Sequence, residues 1–395
     1  MILPANTALQ IIREAIVPLP PVTLPLAAAA GLVLSEPLFA TTDLPPFNQS
    51  SMDGYAFLFN GWQTGQRLQV SGEIAAGHNQ AERFLPGQAV RIFTGAPVPE
   101  GTDTVVMQEK VVVGDGQLSI TDDRISPGSN VRLKGSDITA GALALEAGTL
   151  LTPGAIGFLA GIGVTTVNAY PKPSISIIVT GKELQVPGKL LSHGQVYESN
   201  SATLTAALLQ LNIHKVTTHW ADDDLPVLTH LLQQALQESD VVLLTGGVSV
   251  GDYDFVVEAT RQCSVKQLFH RLKQKPGKPL YFGKKNHQLV VGLPGNPSSV
   301  LTCFYQYVVP ALYRLGNRPG GLFSMRVPIA SEYKKPADIT HFLKGWYDGE
   351  KVSVLGAQES YRLSSFAMAN CLVKVEEYIT HCAAGDSVEI QMLPS

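Results

Sequence analysis

The chain has 395 residues, of which 45% are hydrophobic and 16% charged, with a formal net charge of −4. That length exceeds what one core usually holds, so several domains are expected, and the apolar content excludes a disordered chain. The mild acidity excludes a general nucleic-acid binder, which needs a basic face.

Met1 to Pro21 lacks the basic, apolar and small-residue sections of a signal peptide, and no apolar run is long enough to span a bilayer. Four cysteines, Cys263, Cys303, Cys371 and Cys382, form no CxxC pair. They read as reduced structural thiols of a cytoplasmic protein.

Leu9, Ile12 and Ile16 recur at helical spacing behind an Asn6/Thr7 cap and predict a first amphipathic helix, which Pro18, Pro20 and Pro21 end. From Pro45 to Lys134 the sequence turns rich in Gly, Val and Thr, which predicts a small β domain inserted into the first. Residues 154–163 read as a helix that closes the first domain.

From Pro173 to about Gly316 strands and helices alternate. Strands are expected at 174–179, 214–219, 240–244, 280–282 and 288–293, and helices at 200–211, 225–237, 255–261 and 298–312. This pattern predicts a mostly parallel sheet flanked by helices. After the linker Asn317-Arg318-Pro319-Gly320-Gly321 the remainder reads as a small β-barrel or sandwich.

The chemistry gathers at predicted strand ends of the α/β domain, where ligands of open sheets sit. Thr180-Gly181-Lys182-Glu183, Thr245-Gly246-Gly247 and Pro294-Gly295-Asn296-Pro297 each follow a strand. Ser249 sits just beyond the second of these turns. Lys275-Pro276-Gly277-Lys278-Pro279 sets two cations on a stiffened backbone. Exposed N–H groups and lysines suit a phosphate-like anion.

Glu183, Asp222, Asp223, Asp224, Asp252 and Asp254 accompany these turns. Asp223, Asp224 and Asp254 read either as helix caps or as members of a Mg²⁺ site built from one or two carboxylates and ligand phosphates. There is no GxxxxGK[ST], no GxGxxG before a helix and no HExxH. A Walker ATPase, a dinucleotide dehydrogenase and a zinc protease are therefore unsupported. In the inserted region, residues 45–56, 92–97 and 132–138 have neither helix nor strand period. They read as tight turns in which Asp53 and Asp137 stand beside glycines.

Taken in order, PPFNQSSMDGYAF, RIFTGAPVPEGTDTVVMQE, NVRLKGSDI, TGKEL, VYESNS, TGGVSVGDYDF, KPGKP and GLPGNPSSV resemble the molybdopterin molybdenumtransferase family, the MoeA-like enzymes and the E-domain of gephyrin. The match spans most of the chain and is looser at the C-terminal SSFAMANCLVKV. The resemblance implies an elongated N-terminal domain at 1–45 and 135–172 and an inserted β-rich domain at 46–134. It further implies an α/β molybdopterin-binding domain at 173–318, a three-layer domain with a mostly parallel sheet, and a C-terminal β-barrel at 319–395.

The resemblance also implies a reaction. Molybdenum from molybdate is inserted into adenylylated molybdopterin in a Mg²⁺-dependent step that releases AMP. It implies a homodimer with a shared cleft, and a molybdopterin adenylyltransferase that delivers the substrate.

By the same resemblance Asp222 and Asp254 hold the metal or pyrophosphate, and Lys275 holds the substrate phosphates or molybdate. Lys278, Gly246 and Gly247 hold the pterin nucleotide. Asp53, Thr94, Arg132, Asp137 and Glu183 line the cleft, and Pro294 and Pro297 shape the loop beside the oxyanion. Three positions depart from the family pattern: Lys182 stands where an acid is usual, Ser136 where GEDI has its Glu, and Arg271 where Lys is common. A binding carrier or scaffold without turnover, or a tungstate-preferring homologue, are the alternatives.

Overall fold

The computed structural model describes residues 2–77, 83–247 and 255–394. The chain forms two units, Met1–Val22 with Tyr170–Ser395, and Thr23–Ala169.

The first helix, α1 (Ala5–Ala15), starts at Pro4, which makes no side-chain cap bond. Asn6 therefore lies inside the first turn and does not cap the helix as expected. Its side chain instead reaches Glu376 at 3.4 Å and accepts from Lys374 Nζ at 2.9 Å. Ala8, Ile12, Ile16 and Leu19 are buried in the core of the α/β domain.

In the inserted region of the second unit, residues 46–134, the strands are β1 (Gln49–Ser50), β2 (Gly54–Phe57), β3 (Leu68–Ile74), β4 (Gln88–Ile92), β5 (Thr104–Met107), β6 (Val111–Gly114), β7 (Gln117–Ile120) and β8 (Val131–Arg132). Six of them form one sheet in the order β5-β2-β4-β3-β7-β6, and β8 pairs with β1. Side chains alternate between two small cores: Ala56, Val90, Ile92 and Val105 on one face, Phe57, Ala89 and Val106 on the other. That alternation is the period of two inherent in a strand.

Gly54 is obligatory there, because a Cβ would stand 1.9 Å from the Val106 carbonyl oxygen. Helix α2 (Pro153–Gly161) has proline in its first turn and is capped by Thr152, whose hydroxyl accepts from the Ala155 N–H at 3.2 Å. It packs Leu159 with Leu26, Leu34, Ile162 and Val167.

The α/β domain follows. It comprises β9 (Ile175–Thr180), β10 (Leu184–Gln185), β11 (Val196–Tyr197), α3 (Asn200–Gln210), β12 (Val216–Ala221), α4 (Leu225–Glu238), β13 (Val241–Thr245), α5 (Phe255–Gln262), β14 (Lys266–His270), β15 (Gln274–Lys275), β16 (Tyr281–Lys285), β17 (Gln288–Leu293) and α6 (Pro297–Cys303). A π turn (Phe304–Val308) joins α6 to α7 (Val309–Leu315).

The sheet order is β12-β9-β13-β17-β16-β14. The first four strands are parallel; β16 and β14 are antiparallel additions. Both faces are covered. Ile177, Val179, Leu243 and Val291 point into one core, and Ile178, Val242, Leu244 and Val290 into the other. This explains the unbroken apolar runs of the parallel strands.

The main C-terminal sheet contains β18 (Ser324–Pro328), β19 (Thr340–Tyr347), β20 (Val352–Val354), β21 (Cys371–Val375) and β22 (Ser387–Met392), with helix α8 (Ser364–Met368) between β20 and β21, and Tyr333–Lys334 pairs separately with His381–Cys382. Strands β18 to β22 extend β15 into the sheet β15-β19-β21-β22-β18, with β20 on β19. Ile329, just beyond β18, bridges Val352 of β20, and the Ala330 N–H donates to the Val352 carbonyl at 2.8 Å, so the sheet curls back toward closure around a core of Ile329, Val352, Val373 and Ile390. All four cysteines are free and buried. No helix among the described residues is long and apolar enough to cross a membrane.

Candidate functional site

Thr180 is in register with Ala221, Val179 with Thr245, and Thr245 with Leu293. The carboxyl ends of four parallel strands thus align, and Asp222, Gly181, Gly246 and Pro294 follow one another along one edge of the sheet.

The turns there pack backbone to backbone. Gly246 has φ +85°, and a Cβ on it would lie 2.6 Å from the Thr180 carbonyl oxygen. Only glycine fits. A Cβ on Gly295 would lie 3.9 Å from Gly246 Cα, so the two turns touch. Asn200, at the start of α3, donates from Nδ2 to the Gly295 carbonyl at 2.9 Å. Pro294 is buried, and Pro297 opens α6 with a fixed φ.

Around this contact three buried polar atoms have no protein partner among the described residues: Thr245 Oγ1, Asn200 Oδ1 and Ser298 Oγ. Buried polar groups are nearly always bonded, and leaving one unpaired costs about 1–3 kcal/mol. All three belong to residues at or beside the touching turns, where a polar ligand would satisfy them.

The carboxylates divide by role. Asp224 caps α4, accepting from the Val227 N–H at 3.0 Å, and Asp223 Oδ2 accepts from the Lys182 N–H at 3.2 Å. The side chain of Asp222 is exposed and makes no bond among the described residues. Glu183 is exposed too, with its Oε1 only 2.9 Å from where a Cβ on Gly181 would be. Asp254 and Ser249 lie outside the described residues. Among the described residues no group of three or more His, Cys, Asp or Glu is arranged to hold a metal ion.

Lys275 and Lys278 are exposed, and neither makes an ion pair or side-chain hydrogen bond among the described residues. The Leu272 N–H closes their turn by donating to the Lys278 carbonyl at 2.8 Å. Gly277 (φ +83°) presses the turn onto α6, with Ser299 O and Cys303 Sγ within contact of its Cβ position. The helix that starts at the Gly295 turn therefore also seats the lysine turn.

Sequence reasoning missed the C-terminal segment that meets the Gly295 turn. Asn296 Nδ2 donates to Ser360 Oγ at 2.9 Å, and the Ser298 N–H donates to the Ser360 carbonyl at 3.1 Å. The loop carrying Ser360 is clamped by Lys344, a lysine only 2% exposed. Its Nζ donates to the Ala357 and Arg362 carbonyls at 2.8 and 3.2 Å. Gln358 pairs with the Lys344 backbone in both directions. No local pattern announces these contacts; the one hint is an isolated Lys inside the apolar strand β19.

A second group lies in the inserted sheet. Asp53 Oδ1 accepts from the Thr94 N–H at 2.7 Å and from its hydroxyl at 2.8 Å. These two bonds hold the Asp53 carboxyl below its ordinary range against an opposing effect of burial, with a lesser contribution from the positive charge of Arg91.

Arg91, which the sequence did not single out, fixes this corner. It donates to the Gly54 carbonyl at 3.3 Å and to Gln108 Oε1, and lies over the rings of Tyr55 and Phe93 at 5.2 and 5.0 Å. Strand β1 joins the corner to Arg132: the Gly95 N–H donates to the Ser50 carbonyl at 2.8 Å, and Gln49 pairs with Arg132. Arg132 and Asp137 are exposed, with no side-chain bonds among the described residues. Asp137 is held by its N–H on the Leu44 carbonyl at 2.9 Å.

Three family models match in chain order: the MoeA N-terminal region (domain I and II) over residues 3–163, a probable molybdopterin binding domain over 176–314, and the MoeA C-terminal region (domain IV) over 326–393. The molybdopterin molybdenumtransferase of Haemophilus influenzae is 34% identical, over 93% of this chain and 92% of its own length. That of a Nostoc species is 33% identical, over 93% and 87%. The crystal structure of the molybdopterin biosynthesis moeA protein from Pyrococcus horikoshii superposes with a TM-score of 0.82 at 27% identity, covering 99% of this chain and all of that one.

Proposed function

This chain belongs to the molybdopterin molybdenumtransferase (MoeA) family and is a transferase of molybdenum cofactor biosynthesis, and from that premise we propose how its residues serve the reaction. Adenylylated molybdopterin and molybdate are the substrates; the phosphoanhydride is cleaved, AMP leaves, and molybdenum remains on the dithiolene. The observation that carries this is the set of orphaned buried atoms, Thr245 Oγ1, Asn200 Oδ1 and Ser298 Oγ, around touching glycine turns beside two unpaired lysines.

Phosphoryl chemistry asks chiefly for positioning and charge neutralisation. Backbone N–H groups at Gly246 and Gly247 and the cations Lys275 and Lys278 answer both needs. Molybdate, a tetrahedral dianion, asks for the same donors.

The residues fit Mg²⁺ of the kind held mainly by ligand phosphates, with Asp222 as an unengaged carboxylate and no closed cage among the described residues. When bound, the ion neutralises phosphate charge. Asp254 is the second carboxylate assigned to it.

The protein acts as a homodimer with a shared cleft, to which Asp53, Thr94, Arg132 and Asp137 contribute. It is supplied by a molybdopterin adenylyltransferase and works in the cytoplasm. The test mixes purified protein with adenylylated molybdopterin, Mg²⁺ and molybdate and follows AMP. Molybdate-dependent AMP release is expected, and its absence overturns the reading.

A further inference from the structure

Among the described residues Lys275 and Lys278 make no ion pair or side-chain hydrogen bond, so the backbone beneath them sets where they point. That backbone rests on a buried polar network. Gln274 is 1% exposed, within an otherwise apolar core that includes Leu272, Leu280, Val300 and Phe304. Its amide nitrogen donates to the Pro276 carbonyl at 2.9 Å and stands 3.6 Å from Cys303 Sγ. Its amide oxygen accepts from the Tyr307 hydroxyl.

Cys303 Sγ in turn donates to the Gly277 carbonyl at 3.7 Å. Burial pushes this thiol far up, so it stays protonated and able to donate. A Cβ on Gly277 would lie 2.4 Å from Cys303 Sγ and 2.9 Å from Gln274 Nε2, so the turn sits directly on the network.

Tyr307 belongs to the π turn, where the Val309 N–H reaches the Phe304 carbonyl five residues back. Pro310 has no N–H for the carbonyl of Gln306 and its ring crowds that carbonyl. Widening the helix relieves the clash and turns Tyr307 toward Gln274. A buried amide is costly unless both ends are paired. Here both ends are paired, and its partners lead to the lysine turn.

We propose that Gln274 is the positioning residue of the cationic turn. Held by Tyr307 and Cys303, it fixes the direction of Lys275 and Lys278 toward a polyanionic substrate. This rests on the role given to those lysines above. Gln274 is too deeply buried to meet substrate and acts only through the turn.

Tyr307→Phe removes one hydroxyl, and Gln274→Met removes the amide at nearly constant volume. Each is measured alone and on a Lys275→Ala background, with kcat and KM for adenylylated molybdopterin and the melting temperature. Either variant is expected to raise KM about tenfold, with kcat changed less than about twofold. On the Lys275→Ala background that further rise is expected to shrink, because only Lys278 is left to position.

Equal effects in both backgrounds, or an unchanged KM in the single variants, overturn the proposal. If one variant does not fold, the other decides alone. If Lys275→Ala and Lys278→Ala themselves leave KM unchanged, the reading of the lysines falls and the proposal with it. If they raise KM while the Gln274 and Tyr307 variants do not, only the proposal falls.

Discussion

Thr94 gives Asp53 two hydrogen bonds on one carboxylate oxygen, from its N–H at 2.7 Å and from its hydroxyl at 2.8 Å. The residues are 41 positions apart, and the pairing locks the Met52–Gly54 turn to the turn after β4. It also fixes the charge state of an exposed acid at the rim of the inserted sheet.

Thr94→Val should therefore raise the Asp53 carboxyl toward the ordinary carboxylate value of about 3.9, yet not to it, because the N–H bond remains. A carboxyl depressed in the folded state adds stability above its unfolded value and loses that contribution as pH falls through the folded one. The variant should lose this contribution at a higher pH than the wild type. Carboxyl carbon shifts followed by NMR from pH 6 to 2 check the prediction; identical titrations for Asp53 in both proteins refute it.

His341 offers a second pH dependence, of larger size. It is 5% exposed, and its Nδ1 is 2.6 Å from the Tyr333 hydroxyl. Burial, followed by the charges of Lys335 and Lys275, lowers the imidazole to about 4. Its folded value lies below the unfolded one of about 6.5, so its contribution is complete above 6.5 and is lost as pH falls through 4. The loss approaches about 3 kcal/mol. Urea unfolding at pH 7, 5.5 and 4 should show a fall in stability that His341→Gln flattens. Parallel pH profiles in the two proteins speak against it.

Much of this architecture is legible in the chain. Strand β17 occupies residues 288–293 as the apolar run predicts, and the alternation of strands and helices locates the aligned strand ends. Strand β14, KQLFH, escapes notice because a short edge strand with polar positions carries neither period strongly. Strand β16 is antiparallel, although its sequence reads like that of its parallel neighbours.

Motifs also point to Asp53, Thr94, Asp222 and Lys275, yet not to what holds them. Ser360 meets Asn296 across 64 residues, and Gln274 meets Tyr307 across 33. Such contacts follow from tertiary packing, which has no local period. The reading of the acidic run as caps holds for Asp224.

Asp222 is the member of that run whose side chain makes no bond among the described residues, so Asp222→Asn should separate function from fold. A surface substitution that breaks no contact changes stability by less than about 0.5 kcal/mol. If its carboxylate helps hold Mg²⁺, the half-saturating Mg²⁺ concentration for AMP release should rise by roughly tenfold, a loss of about 1.4 kcal/mol of binding. Calorimetry and a Mg²⁺ titration decide it, and an unshifted titration removes Asp222 from the metal site.

Lys182 permits a test of charge alone. Its N–H donates to Asp223 at 3.2 Å, a bond that any residue except proline retains. Its side chain is exposed and makes no ion pair among the described residues. Lys182→Asp should leave the melting temperature nearly unchanged while altering the charge beside Gly181 by two. For a dianion about 8 Å away in ~0.15 M salt, Coulomb energy after screening comes to about 1 kcal/mol. The molybdate concentration needed for half-maximal rate should then rise roughly fivefold. The difference should vanish near 1 M salt, where the screening length falls to about 3 Å. Initial rates against molybdate at low and high salt measure both effects. A molybdate curve that does not move at low salt shows that Lys182 does not tune oxyanion binding.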